Sequence, residues 1–339
     1  MLMKPYIEKC LAGEHLTVAE ASAALELVVT NQATDVQIAG LLIALRAKGE
    51  TADELVGFAQ TMREKAVRIS VEDADAIDMC GTGGDGLGTF NISTVASLVA
   101  AGAGVTVAKH GNRSVSSKSG SADILTALGV NIQATPGRME ECLNTIRFGF
   151  LFAPLYHPAM KYAGKPRVEL GVRTIFNMLG PIINPAGVKR QVIGAYREEV
   201  AEMLAGALDK LDTARACVVH SSDGMDEVTM AGETRVFEVG KAIPARTYVV
   251  DPFRFGLPRG TLAAVRGGNS EENKVIALSV LNKERSPARD VVLANAAFGI
   301  YVAGKALDLR EGVTRAAESI DSGKAMQTLD RLVEMTNRP

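Results

Sequence analysis

Residues 80–94 read CGTGGDGLGTFNIST, and the reading of this stretch decides the fold. Five glycines (Gly81, Gly83, Gly84, Gly86 and Gly88) fall within eight residues, and an apolar run from Val95 to Ala101 follows directly. Glycine admits positive φ and lets backbone approach a ligand closely, at an entropic cost. A turn of this kind at a helix start presents free N–H groups and the positive end of the helix dipole, which suits a phosphate. A glycine cluster alone would equally suit a flexible surface turn. Asn91, Ser93 and Thr94 at the helix entry tip the balance, because each can cap a free N–H or hydrogen-bond a ligand oxygen. The spacing fits neither G-x-G-x-x-G nor a P-loop, so any phosphate bound here belongs to another class of ligand.

Outward from this turn the chain alternates. Ala76 to Met79 reads as a strand before it, and a helix follows. Val105 to Ala108 reads as a buried strand, Ala122 to Leu128 as a helix and Val130 to Ile132 as a strand. Pro136 to Phe148 reads as a helix capped by Thr135 with Pro136 in its first turn, and Phe150 to Phe152 as a further strand. Such alternation implies βαβ units and a largely parallel sheet. Ligands then bind beyond the carboxyl ends of the strands, where the loops at 80–94 and 109–121 lie. Residues 153–190 break the pattern with Pro154, Pro158, Pro166, Pro181 and Pro185, as in a crossing back to the N-terminal region. The alternation resumes with strands at Val192 to Ala195 and Ala216 to Val219 around a helix from Glu198 to Leu208. Arg235 to Val239 and Thr247 to Val250 read as strands with solvated faces. Helices fill most of the rest.

The N-terminal region is helical by independent signs. Thr17-Val18-Ala19-Glu20, Thr34-Asp35-Val36-Gln37 and Thr51-Ala52-Asp53-Glu54 each match the capping box. Ile38, Leu41, Leu42 and Leu45 then follow the stripe of an amphipathic helix. The expected fold class is therefore α/β: a small N-terminal α-helical domain (1–70, with 165–188 returning to it) and a larger α/β domain (71–164 and 189–339) with a mostly parallel central sheet.

A chain of 339 residues suits two domains or one large one, and 47% apolar with 22% charged residues is ordinary for a globular protein. A formal net charge of −2 argues against general nucleic-acid affinity. Cys10, Cys80, Cys142 and Cys217 are scattered with no C-x-x-C pair, which indicates reduced thiols in a cytoplasmic enzyme. No signal-peptide layout or membrane-spanning run is present, so no membrane partner is expected.

Two further clusters carry chemistry. Residues 109–121 hold three cations (Lys109, Arg113, Lys118), five serines and two glycines, a second anion cradle in which lysine supplies a point charge and arginine a fork. Two such loops suggest a ligand with phosphates at both ends. Asp226 and Glu227 follow another apolar strand beside a glycine turn. Adjacent carboxylates there suit Mg²⁺, which takes one or two carboxylates and completes its shell with water and phosphates. Farther on, Arg167 suits a carboxylate fork, His157 suits a hydrogen bond or a ring stack, and Arg173 stands at i, i+4 from Glu169 for an ion pair.

With these motifs in view, the chain resembles the anthranilate phosphoribosyltransferase family, of nucleoside-phosphorylase type. The matching stretches are GTGGD at 81–85, NIST at 91–94, KHGNRSVSSKSGSAD at 109–123, HPAM at 157–160, RVELGVRTIFNMLGPIINP at 167–185 and DGMDE at 223–227. The resemblance implies a homodimer and transfer of ribose 5-phosphate from phosphoribosyl pyrophosphate to the anthranilate amine in tryptophan biosynthesis. It implies donor contacts from Gly81, Gly84, Asp85, Thr89, Asn91, Ile92, Ser93 and Thr94. The second loop would add Lys109, His110, Gly111, Asn112, Arg113, Ser114, Val115, Ser116, Ser117 and Ser121. Two Mg²⁺ ions would lie on Ser93, Asp226 and Glu227. Anthranilate would meet Gly81, Asn112, His157 and Arg167, and catalysis would rest on Lys109, Asp226 and Glu227. Pyrimidine-nucleoside phosphorylase resembles the same fold, but the 223–227 carboxylates and the paired anion loops favour a diphosphate donor.

Overall fold

The computed structural model describes residues 2–114, 118–241 and 243–338. Its N-terminal helices are α1 (Lys4–Leu11), α2 (Val18–Val29), α3 (Asp35–Lys48) and α4 (Ala52–Lys65). All three threonine boxes form: Thr17, Thr34 and Thr51 each accept the N–H three residues on, and Glu20, Gln37 and Glu54 return the bond. Each cap contributes about 1 kcal/mol to its helix. Glu54 is fully buried, and it also accepts the Leu16 N–H and the Lys48 ammonium, both at 2.8 Å. That bond set ties α4 to the turn before α2. Leu25, Leu41, Leu45, Phe58 and Met62 meet Ile175, Phe176, Leu179 and Ile182 of the segment that returns after residue 153. Each such fully buried side chain contributes about 1.5–3 kcal/mol.

The sheet has seven strands: β1 (Ile77–Gly81), β2 (Val107–Gly111), β3 (Phe148–Phe152), β4 (Arg190–Gly194), β5 (Arg215–Ser221), β6 (Thr234–Val239) and β7 (Arg246–Val250). Their order is β3-β2-β1-β4-β5-β6-β7, parallel through β5 and antiparallel at β6 and β7. The chain builds from β1 toward β3 on one side and from β4 toward β7 on the other, so the switch point lies between β1 and β4. The helical layer covers one face through the helix Glu198–Lys210, where Leu204 packs with Ile193 and Val218. The other face carries α5 (Ile92–Gly102) and the C-terminal helices Ser270–Leu281, Pro287–Val302, Leu309–Asp321 and Lys324–Thr336. No helix among the described residues is long and apolar enough to cross a membrane.

One strand expected from the sequence does not form. Val130 and Ile132 are buried, but the Asn131 N–H donates to the Thr336 hydroxyl at 3.1 Å and the Asn131 side chain to the Thr336 carbonyl. The segment is pinned to the last helix and not to a strand neighbour, so apolar alternation there marks a buried turn.

Candidate active site

β1 ends at Gly81 and β4 at Gly194, paired in register at the switch point. Asp226 fills the notch above them. A Cβ on Gly194 would stand 1.5 Å from the Asp226 carbonyl oxygen, and one on Gly81 2.4 Å from its Oδ2. Glycine at these two positions is therefore a requirement of close approach. The Gly83 N–H donates to Asp226 Oδ2 at 2.7 Å, and the Ser93 N–H, in the first turn of α5, donates to Glu227 Oε1 at 3.1 Å. Both carboxylates are thus aimed at the glycine loop, one by its backbone and one by a helix N-terminus.

The negative charge here is only partly compensated, by Lys109. Burial and the neighbouring Asp85 push the Asp226 carboxyl above the ordinary range, and burial with Asp226 does the same to Glu227. Asp85 Oδ2 is buried without a hydrogen-bond partner. Lys109 is the nearby cation, fully buried, its ammonium donating to the Met79 carbonyl and lying 3.4 Å from Ser93 Oγ. Burial lowers its pKa, opposed by Asp78 and Glu227. No three His, Cys, Asp or Glu side chains among the described residues gather as a metal cage. The donor set fits a hard cation that takes oxygens from one or two carboxylates and a hydroxyl and the rest from water and phosphate. Asp226, Glu227 and Ser93 are the residues that could supply those oxygens, and the raised carboxyls beside the orphaned Asp85 oxygen mark a site where a bound cation would offset the like-charge repulsion.

The remaining residues singled out from sequence fall as follows. Asn91 does not cap α5; its amide donates to the Ser119 carbonyl at 3.1 Å and its oxygen accepts from Asn273 at 2.9 Å, linking the two loops to the helix Ser270–Leu281. The Ile92 and Thr94 side chains are buried, with Thr94 Oγ1 unpartnered, and their N–H groups donate to the Phe90 carbonyl at 2.7 Å and the Asn91 carbonyl at 3.1 Å. Thr89 bridges to Arg266. In the second loop, Arg113 pairs with Asp123 at 2.8 Å, and Asp123 also takes the Ser114 and Gly120 N–H groups. Asn112 is exposed, and its carbonyl accepts the Ser121 hydroxyl beside Gly111. Val115, Ser116 and Ser117 lie outside the described residues.

His110 and His157 are both buried and meet edge to face, 5.1 Å between ring centres. His110 Nδ1 bonds the Gly180 carbonyl at 3.1 Å, and its Nε2 has no partner. Burial lowers His110 to about 3 and His157 to about 4, the latter offset in part by the Ile183 backbone. Neither His157 nitrogen reaches a partner of good hydrogen-bond geometry. Arg167 stacks over Phe176 at 4.9 Å and has no carboxylate partner among the described residues. Arg173 differs from expectation: its helix ends at Leu170 with Gly171 left-handed, so Arg173 does not pair with Glu169. It stacks on Tyr196 at 4.0 Å and donates to the Gly84 carbonyl.

Asp78 and Asn184 enter the site from structure alone. Asn184 donates to Asp78 Oδ2 and to the Ala108 carbonyl, both at 2.8 Å, across more than seventy residues of chain. No local pattern marks such a contact.

Comparison with known proteins gives the lineage. The family model described as "Glycosyl transferase family, helical bundle domain" matches residues 4–66, and that described as "Glycosyl transferase family, a/b domain" matches residues 73–326. Anthranilate phosphoribosyltransferase of Moorella thermoacetica is 49% identical over 98% of this chain and 98% of its own, and that of Pelotomaculum thermopropionicum 50% identical over 99% and 97%. The crystal structure of the Thermus thermophilus enzyme superposes with a TM-score of 0.93 at 43% identity, covering 98% of this chain and 99% of that one. The Saccharomyces cerevisiae enzyme in complex with PRPP and Mg superposes at 0.89 with 27% identity over 98% and 97%. The chain belongs to the anthranilate phosphoribosyltransferases of this glycosyl transferase family.

Proposed function

We propose that this chain transfers the 5-phosphoribosyl group of phosphoribosyl pyrophosphate to the amine of anthranilate, releasing pyrophosphate, in tryptophan biosynthesis. The observation that carries the reading is the meeting of the glycine loop, Asp226, Glu227 and Lys109 at the β1–β4 switch point. A diphosphate ester needs N–H donors and an ammonium beside carboxylates that hold cations, and this notch supplies all of them. Relatives 49% and 50% identical to this chain carry that enzyme name.

In this reading Gly81, Gly84, Asp85, Thr89 and Asn91 to Thr94, with Lys109 to Ser117 and Ser121 of the second loop, seat the donor. Mg²⁺, two ions held through Ser93, Asp226 and Glu227, neutralises the departing pyrophosphate. Lys109 adds fixed positive charge where negative charge develops, and the closed notch makes that charge effective. Arg167, held flat by Phe176, forks onto the anthranilate carboxylate. The aromatic amine attacks the anomeric carbon through an oxocarbenium-like state and is nucleophilic near neutral pH without a strong base. Burial keeps His110 and His157 neutral there, so neither brings an imidazolium charge to the site at physiological pH. Gly81, Asn112 and His157 complete the anthranilate contacts.

The same reading places the domain division near residue 70, with 165–188 returning to the helices, and pairs two copies through the helical layer. Exposed Leu2, Leu11, Val36, Ile43, Val168 and Val172 supply the apolar surface for that contact. The four free cysteines suit a cytoplasmic place. Loss of anthranilate fluorescence on mixing with phosphoribosyl pyrophosphate and Mg²⁺, abolished by chelator, tests the activity directly. Fluorescence that persists with both substrates and metal present rejects it.

A further inference from the structure

Parallel strands bond at regular intervals, so the β1–β2 pairing implies its own continuation. From Ile77↔Val107 the next pair would be Met79↔Lys109, with the Met79 N–H donating to the Ala108 carbonyl and the His110 N–H to the Met79 carbonyl. The register stops at the first pair, whereas β1–β4 and β2–β3 each run through five. Side chains take over the orphaned groups. The His110 N–H donates to Asp78 Oδ1 at 3.1 Å, Asn184 donates to the Ala108 carbonyl, and the Lys109 ammonium donates to the Met79 carbonyl. The Asp78 carboxylate is fully buried and holds Asn184 on its other oxygen.

A closed ladder would satisfy the same backbone groups without burying a carboxylate and an ammonium, and burying charge is costly. The splay therefore serves something other than strand pairing. We infer that Asp78 is a positioning residue for donor binding: with Asn184 it holds β1 and β2 apart and stands the Lys109 ammonium in the gap below the glycine loop. Asp78 touches no substrate in this arrangement and acts through Lys109. Asn184 belongs to the segment returning from the helical layer, and Gly180 of the same segment holds His110. The wedge thereby ties that layer to the charge beneath the donor. The inference rests on the phosphoribosyl-transfer reading.

Magnesium pyrophosphate, titrated calorimetrically into the full-length protein, is the probe, with steady-state kinetics beside it. Asp78→Asn keeps an acceptor for His110 but turns an amide N–H₂ toward Asn184 and removes the countercharge. It should weaken magnesium pyrophosphate about tenfold or more and raise KM for the donor alike, since bonds to charged groups carry about 1.5–3 kcal/mol. KM for anthranilate should stay within about twofold, a split that general loosening would not produce. Asn184→Ala, which leaves Asp78 in place, should shift donor affinity in the same direction by a smaller factor, and decides alone if Asp78→Asn does not fold. Unchanged pyrophosphate affinity in the folded variants overturns the inference, as does equal loss for donor and anthranilate. Wild-type protein that fails to bind magnesium pyrophosphate removes the functional reading itself; normal wild-type binding with unaffected variants removes only this one.

Discussion

On its β4 side, β1 is paired in register through all five residues and ends against a glycine on each strand; on its β2 side it is paired once, and Asp78, Lys109 and Asn184 fill the rest. The first flank is a backbone wall with no side chain at its rim, because Asp226 occupies the space a Cβ would need. The second is a charged wall in which side chains stand in for a ladder. The two flanks divide the work of one site: one fixes where the carboxylates lie, the other fixes where the ammonium lies. Substitutions on the first should act through sterics and metal, and substitutions on the second through charge.

Gly194→Ala puts the strongest load on this contrast. Its Cβ would need the place of the Asp226 backbone, so either β4 or the 223–227 turn must move. Overpacking of this kind costs about 1–3 kcal/mol, and more when backbone is the obstacle. The variant should melt well below wild type and lose Mg²⁺-dependent turnover entirely; near-normal melting and activity would show that Asp226 is not seated on the strand ends.

Asp226→Asn with Glu227→Gln separates metal from shape. Turnover should fall on the order of 10²–10³ or more, as when an electrostatic contact to the developing charge is removed. Stability should move the other way. In the metal-free protein the two carboxyls are raised to about 7 and about 8, so the folded state holds protons that the unfolded chain releases near pH 4. Wild-type stability should then fall as pH rises from about 4 to about 8, and the double variant should flatten that slope and melt higher at pH 8. Thermal melts with chelator across this range are the measurement, and equal slopes would mean that the carboxylates are already compensated.

Arg167→Ala is milder and lies outside both flanks. Losing one guanidinium fork should raise KM for anthranilate about tenfold to a hundredfold with little change for the donor. A reversed pattern would place Arg167 with the phosphates.

How much of this was legible in the sequence follows the reach of each contact. The threonine boxes close over three residues, and all three form where the pattern puts them. The β1 turn and the helix after it were marked by glycines with an apolar run behind them, and the parallel sheet by alternation. Val130 to Ile132 misled because apolar alternation reports burial, and Thr336, two hundred residues away, decides what buries it. Asn91 has the chemistry of a cap, but Ser119 and Asn273 compete for its amide and win. Asp78 read as an ordinary strand residue. Its partners at 110 and 184 become neighbours only once the sheet and the returning segment have folded together.

The finest test of the two-flank contrast uses Cys80, which shares the face of Asp78 on β1 and packs toward the helical layer. Its thiol is held well above its usual pKa by burial first and then by the Asp78 carboxylate, with Lys109 opposing. Only the thiolate alkylates, so iodoacetamide should react slowly at pH 8. Asp78→Asn deletes a negative neighbour and leaves Lys109, so the thiol pKa should fall and labelling should quicken a few-fold. A rate gain from charge moves the pH–rate profile to lower pH, whereas a gain from loosened packing lifts the rate without moving the profile. A shifted profile locates the Asp78 charge in the β1–β2 gap beside Cys80; an unmoved one leaves Asp78 acting through its hydrogen bonds to His110 and Asn184 alone, and makes the second flank as much a matter of shape as the first.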